Sequence, residues 1–356
     1  MINAVVNQIR KGFFQDWAVC GFNDDTGLGG MAVDIRACLG VGYQLVVPSE
    51  RLTSKITNPL TDRWLPKYAS RDYIKSTISS LKGIILLERA NWHPELLSVA
   101  QEMGIHKVCV PMWEWFNGNS PEWKLVDLFA CPSAFSEKIV QSYGFRNTCQ
   151  LTWPLDLSKL PNRHVRGPAR HFIHNSGLVD HDDRKGVRDT IIAFSRLRRY
   201  DVRLTVRLQK EVPLPPADSR VNVIIGNIDS PYELYSVGDI CVQPSKMEGL
   251  GFMVLEPVCS GMPVITTDYP PMNQYVHHPE LRCKTRWFRR KAFPSNWIKH
   301  AHLRLPNIRD LTRRMAWAAT NDLQPISTYN RQWAEATFSH DSLRSAWKEV
   351  LMANLK

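Results

Sequence analysis

QPSKMEGLGFMVLEPVCSGMPVITTD, residues 243–268, is the stretch on which the reading of this chain turns. It reads as strand, loop, helix, turn and strand. An apolar strand runs into Gln243–Ser245, a loop carries Glu248, Gly249, Leu250 and Gly251, and the helix that follows holds Glu256 one to two turns inside it. Open α/β sheets bind their ligands outside the C-terminal ends of the strands, so this order brings both carboxylates to one such edge. Glycines let the backbone approach a ligand closely, and the free N–H groups of a helix start suit phosphate or sugar oxygens. Carboxylates there accept hydrogen bonds from sugar and ribose hydroxyls.

Working outward, short β-rich runs alternate with helical patterns, which predicts an α/β protein with parallel sheets covered on both faces. Strands are expected at 170–176, 203–209, 220–226, 239–245 and 262–268, and an earlier series at 17–22, 43–48, 83–88, 106–112 and 128–133. The polar segment 155–170, punctuated by Pro161, Gly167 and Pro168, reads as a linker between two sheets. Helices are expected at 308–320 and 329–353, the latter with Trp333, Phe338, Leu343, Trp347 and Leu351 as packing residues. The expected division is therefore a first domain over 1–160, a second over 169–330, and a terminal helix over 331–356 that packs back on the first domain.

At 356 residues with 44% hydrophobic and 22% charged residues, the chain is long enough for two globular domains with their own cores. No apolar run approaches the roughly 18 residues of a membrane span, and the N-terminal stretch has no signal-peptide core, so a cytoplasmic protein without a transmembrane segment is expected. Eight cysteines stand singly at 20, 38, 109, 131, 149, 241, 259 and 283, mostly in apolar runs, which reads as buried free thiols in a reducing compartment and not as a zinc site. A net charge of +11 favours anionic partners: nucleic acid, an anionic membrane surface or a phosphate-bearing substrate.

With seven residues between Glu248 and Glu256, then a small-residue turn and a Pro-Val-Ile strand over Gly261–Ile265, the segment PSxxEGxGxxxLExxxxGxPVI resembles the retaining GT-B glycosyltransferases of the large bacterial group (family 4-like) that builds lipopolysaccharide cores, glycolipids and teichoic acids. The resemblance implies a GT-B fold, two Rossmann-like domains facing across a cleft, and a nucleoside diphosphate sugar as co-substrate, UDP-sugar being the expected one. It implies that Glu248 contacts the donor sugar and Glu256 the ribose. A second match is HNSGLVDHDDRKGVRDTIIAF, residues 174–194, where Arg184, Lys185 and Gly186 open a helix with Val187, Ile191 and Phe194 on one face. Cations at a helix start are poorly placed for its dipole, which points to an anion. By resemblance, Arg184 or Lys185 meets the donor diphosphate, joined by Lys210 at the end of the next strand. Many relatives carry Arg where Leu178 stands here, which leaves open which cations hold the diphosphate. The segment 226–240 falls where the base-binding turn of that family lies, with Asn227 and Ile228 as its backbone contacts.

In the first half, FNDDTGLGGMAVDIRACLG places a Gly-rich loop (Gly27, Gly29, Gly30) between the first strand and a helix, and relatives carry a comparable loop facing the donor phosphates. His93 follows a strand, where several relatives have a histidine near the reacting sugar; capping before Pro94 is the other reading. Glu114, in PMWEWF, is a further candidate on the acceptor side, or a charge among interface aromatics. No nucleophile stands out, so front-face substitution is expected, the leaving diphosphate helping to deprotonate the acceptor hydroxyl. Asp24-Asp25 and Asp182-Asp183 are adjacent pairs in loops and not a DxD at a strand end, so no metal or other cofactor is expected.

Residues 281–307 contain eight Lys/Arg and no acid, interleaved with Trp287, Phe288, Phe293 and Trp297. Arg286, Trp287, Arg289 and Arg290 are acceptor-side candidates there. Cations with aromatics suit nucleic acid, such as a modified pyrimidine in DNA of the sort phages glycosylate, or an anionic membrane surface of the kind at which lipopolysaccharide and lipid enzymes work. From another class, the chain could be a GT-B epimerase or a silent sugar-nucleotide-binding module. An epimerase would show clustered acid/base groups in place of the glutamate pair, and a silent module a damaged pair. Neither condition is met, which favours the transferase.

Overall fold

The computed structural model describes residues 12–23, 27–48, 54–177, 182–216, 218–228, 230–291 and 302–355. The candidates Asp24, Asp25, Leu178, Phe293 and Trp297 lie outside the described residues. The chain divides into two compact units, Met1–Asp156 with Phe338–Lys356, and Leu157–Thr337.

In the first unit seven strands form one sheet: β1 Trp17–Gly21, β2 Tyr43–Val46, β3 Asp62–Trp64, β4 Gly83–Glu88, β5 His106–Pro111, β6 Leu128–Cys131 and β7 Thr148–Gln150, in the order β3-β2-β1-β4-β5-β6-β7. Every pairing is parallel. The central strands are buried nearly throughout, as in GIILLE, because helices cover both faces of a parallel sheet. The helices are α1 Gly27–Leu39, α2 Arg71–Ile78, α3 Leu96–Glu102 and α4 Ala134–Ser142. Gly27, Gly29 and Gly30 thus occupy the first turn of α1 and not the loop expected of them. Met31, Ala32, Ile35 and Leu39 are all buried at helical spacing, and that packing carries the helix back through glycines whose own propensity is low.

The second unit repeats the plan. Strands β8 His171–Gly177, β9 Arg203–Leu208, β10 Val221–Ile225, β11 Ile240–Gln243, β12 Val264–Thr267 and β13 Arg282–Cys283 pair in parallel in the order β10-β9-β8-β11-β12-β13. Helices α5 Val187–Ser195, α6 Phe252–Cys259, α7 Ile308–Ala318 and α8 Gln324–Phe338 accompany it. A separate antiparallel ribbon, β14 Thr285–Lys291 with β15 His302–Pro306, stands where no regular element was expected. In both sheets the strand order reverses once, between β1 and β4 and between β8 and β11. Those two gaps are the switch points where doubly wound sheets bind ligands.

The helix expected over 329–353 is two helices, α8 and α9 His340–Asn354. They part at Ser339, whose Oγ accepts the N–H of Ser342 at 3.2 Å as an N-cap. Helix α9 belongs to the first unit: Leu343, Trp347 and Leu351 are buried, Trp347 Nε1 donates to Thr152 O at 3.0 Å, and Arg344 donates to Ala37 O in α1 at 3.1 Å. Trp347→Ala should lower the stability of that unit by about 3–5 kcal/mol, read as an earlier urea transition by circular dichroism; an unchanged transition would show that α9 does not stabilise the unit.

Candidate active site at the switch point of the second sheet

The loops that follow β8 and β11 are neighbours because those strands are. They also touch directly. Lys246 N–H donates to Arg184 O at 2.8 Å, and a Cβ on Gly186 would stand 2.7 Å from Pro244 O. Gly186 caps α5 with φ of 80°, a conformation that L side chains rarely adopt, so sterics require glycine here twice over. Gly251 caps α6 in the same left-handed region with φ of 90°.

Asp183 starts α5 by accepting the N–H of Val187 at 2.8 Å and of Arg188 at 3.1 Å, so the helix dipole meets a carboxylate of its own chain. Buried Lys246, 2.9 Å from Asp189 and 3.3 Å from Asp183, balances those charges. Sequence reasoning missed Lys246, whose role only burial reveals.

Glu248 is only 4% exposed, and Lys185 Nζ donates to its two carboxylate oxygens at 2.8 and 2.7 Å, with Arg184 at 3.8 Å. Burial alone would raise the Glu248 carboxyl; the charges of Lys185 and Arg184, with hydrogen bonds from Lys185 and Ser245, outweigh it and hold the group below its ordinary value. Glu256 accepts from the hydroxyl of buried Tyr235 at 2.7 Å, and burial together with that carboxylate pushes the phenol well above its usual value. The structure therefore brings Arg184, Lys185 and Glu248 together and seats Glu256 in α6. Gly249 and Leu250 are buried in the loop between.

Beneath this cluster lies His174 in β8, fully buried. Its Nδ1 stands 2.7 Å from Val242 O; a carbonyl can only accept, so Nδ1 carries the proton and Nε2 a lone pair. Burial pushes the imidazole down to about 4, the bond to Val242 opposing and Lys185 adding to it, so the ring is neutral at ordinary pH. His174 Nε2, Ser176 Oγ and Gln243 Oε1 are buried and have no hydrogen-bond partner among the described residues. His174 was not singled out from the sequence; its signal was a histidine inside the apolar run FIHNS.

Lys210 is exposed just beyond β9, and Asn227 and Ile228 lie just beyond edge strand β10. All three are at the same edge of the sheet as Glu248, but among the described residues none bonds to the Glu248 cluster. In the first unit, the loop after β4 holds His93. Its buried Nδ1 accepts the N–H of Glu95 at 3.1 Å, and burial lowers its pKa against the pull of Glu95, so the neutral ring carries its proton on Nε2, which is buried and has no hydrogen-bond partner among the described residues. Glu88 closes β4 with φ of 68°, an outlier that sequence reasoning missed, and burial raises its carboxyl against Arg89. Glu114 is buried beyond β5, and Gly27 and Gly29 lie at the start of α1. Arg286, Trp287, Arg289 and Arg290 lie on β14. All eight cysteines are free, and no helix among the described residues is long and apolar enough to cross a membrane.

The model of the family described as glycosyl transferases group 1 matches residues 170–287, from the start of the second sheet into β14. Among curated proteins none matches the chain in sequence. Among solved structures, HepE of Anabaena in complex with UDP and glucose is similar at a TM-score of 0.66 and 12% identity, over 95% of this chain and 99% of that one. The lipopolysaccharide outer core galactosyltransferase WaaB in its apo form is similar at 0.63 and 12%, over 95% and 99%. A glycosyltransferase from Rickettsia africae ESF-5 is similar at 0.64 and 11%, over 96% and 98%. At such identities the likeness shows the fold, and the fold is GT-B: two Rossmann-like units with sheets of seven and six parallel strands.

Gly186→Ala should destabilise the second unit by about 1–3 kcal/mol through its left-handed φ and the clash with Pro244, measured by denaturant unfolding; full stability would mean the two loops do not meet this closely. His174 offers a pH test. Its pKa is near 6.5 when unfolded and about 4 when folded, so between those values the unfolded chain binds the extra proton and stability falls as pH falls. The loss amounts to about 3 kcal/mol over that window, and His174→Asn should flatten the slope; an equal slope in the variant would refute the assignment.

Proposed function

We propose that this chain is a retaining, metal-independent glycosyltransferase that moves a sugar from a nucleoside diphosphate donor, UDP-sugar being the expected one, to an acceptor hydroxyl. The observation that carries the reading is the buried Glu248 carboxylate held by Lys185 and Arg184 at the switch point of a sheet whose sequence matches glycosyl transferases group 1. The fold relatives support the donor class, since HepE is described in complex with UDP and glucose.

In this reading Glu248 accepts a hydrogen bond from a donor-sugar hydroxyl while Lys185 and Arg184 turn to the diphosphate oxygens, joined by Lys210. Glu256 accepts from ribose hydroxyls, and backbone at Asn227 and Ile228 meets the base. The bond from the anomeric carbon to the phosphate oxygen breaks with its electron pair going to the diphosphate. The bond to the acceptor oxygen forms on the same face, and the acceptor proton passes to the departing phosphate. The cations stabilise the charge that develops on that phosphate, the job a metal ion does elsewhere. On the first unit, His93 is assigned to donate its Nε2–H to a substrate hydroxyl.

The proposed acceptor is a hydroxyl on a modified pyrimidine in DNA, to which the net charge of +11 is suited. The likeness to WaaB, a lipopolysaccharide galactosyltransferase, favours a second reading, an acceptor at a membrane surface. The free, mostly buried cysteines suit work in the cytoplasm.

A thermal-shift and turnover screen of nucleotide sugars, with and without EDTA, tests the donor reading. One donor should stabilise the wild type and be hydrolysed slowly in EDTA. Glu248→Ala should cut turnover about 10²-fold or more, and Lys210→Ala should weaken donor binding about tenfold. If no nucleotide sugar binds, or both variants match the wild type, the site is misplaced and a binding module without this activity takes the lead.

A further inference from the structure

The ribbon β14–β15 has no part in the donor chemistry, yet it is built with care. Its register slips between Thr285 and Arg289, and such irregularities re-aim side chains. The consecutive residues Thr285 to Phe288 accordingly line one cavity of about 410 Å³ together with Arg196 and Arg309. Trp287 is 92% exposed and Phe288 40%, their rings 5.5 Å apart edge to face. Arg196, Arg286 and Arg309, which line that cavity, pair with no carboxylate among the described residues, and residues 281–307 contain no acid at all. Cations gathered this way repel one another, and an anion relieves that repulsion.

The ribbon is also fixed to the donor loops. Leu303 is buried against Met247 and Leu305, and Arg304 N–H donates to Lys246 O at 2.8 Å. Arg290 pairs with Asp182 at 2.6 Å. Lys246 shares a loop with Glu248, and Asp182 with Arg184. A partner seated on the ribbon is therefore carried by the same two loops that build the candidate active site.

The three cations that line the cavity are guanidiniums, which fork onto phosphate oxygens and stack on ring faces, and the most exposed side chain beside them is the indole of Trp287. That is the chemistry of a nucleic-acid strand with unstacked bases, cations tracking its phosphates and a ring receiving a base. Cations beside aromatics also suit an anionic membrane surface, so vesicle binding is set against strand binding in the test.

We propose that the β14–β15 ribbon, with the Arg196–Arg286–Arg309 cavity, docks a single strand of DNA: phosphates against the guanidiniums, a base stacked on Trp287. It rests on the reading above only in identifying that strand as the acceptor; the binding itself does not depend on the donor site. The test is fluorescence anisotropy of a labelled oligothymidylate with the full chain across a salt series. Affinity should fall linearly in the logarithm of salt concentration. Trp287→Ala should weaken binding about tenfold or more, and the double change Arg286→Ala with Arg309→Ala should reduce the salt slope by about one to two. Both sites are at the surface, so thermal melting should be unchanged and a folding defect is separable. Glu248→Ala should bind the strand as wild type does. Binding of the strand without any nucleotide-sugar turnover would retire the transferase and leave this inference standing. No binding, binding indifferent to both variants, preference for duplex, or Trp287-dependent binding to phosphatidylglycerol vesicles without oligonucleotide binding would overturn it.

Discussion

A carboxylate taken almost wholly out of water is the constraint around which the second unit is arranged. Glu248 keeps its charge there because Lys185 lies within hydrogen-bond reach of both its oxygens. An unpaired buried charge costs several kcal/mol, so the pair demands accurate placement of two loops from different strands. Adjacent β8 and β11 bring the loops close, and Gly186, without a Cβ, lets them touch at Pro244 O. Lys246 then ties the second loop to the acids that begin α5.

That accounting explains why cations stand at the start of α5 against the sense of its dipole. Asp183, in a left-handed conformation with φ of 48°, already satisfies the first N–H groups, and Asp189 adds a second negative charge in the first turn. The local field is set by acids, so Arg184 and Lys185 are retained at modest cost. Their charge is directed toward Glu248, not toward the helix end.

Legibility in the sequence followed burial. The long central strands were readable because both faces of a parallel sheet are buried, which gives unbroken apolar runs such as GIILLE and KVCV. Edge strands β3 and β7 are three residues of mixed polarity, held by such local devices as Asp62 accepting from Thr57 and Asn58, and no periodicity marks them. The ribbon was hidden because its charges read as loop, and one terminal helix became two because Ser339 offers a cap inside a continuous apolar pattern. At the site, the glutamates stood out by their flanking glycines and strand. His174 and Lys246 did not, since a histidine in a strand and a lysine in a loop acquire meaning only once buried and surrounded.

The two switch points share a topology and differ in electrostatics. In the second unit half-buried Lys185 and buried Lys246 face three carboxylates, and the imidazole below is kept neutral by burial and by Lys185. In the first, a neutral imidazole at His93 follows a carboxylate, Glu88, that burial shifts toward its protonated form. Cations already in place suit a step in which negative charge accumulates on a departing phosphate, because oriented groups need no reorganisation as the charge appears. The same fold thus supplies both environments by varying two loops per sheet, and the chemistry is decided by which side chains those loops bury.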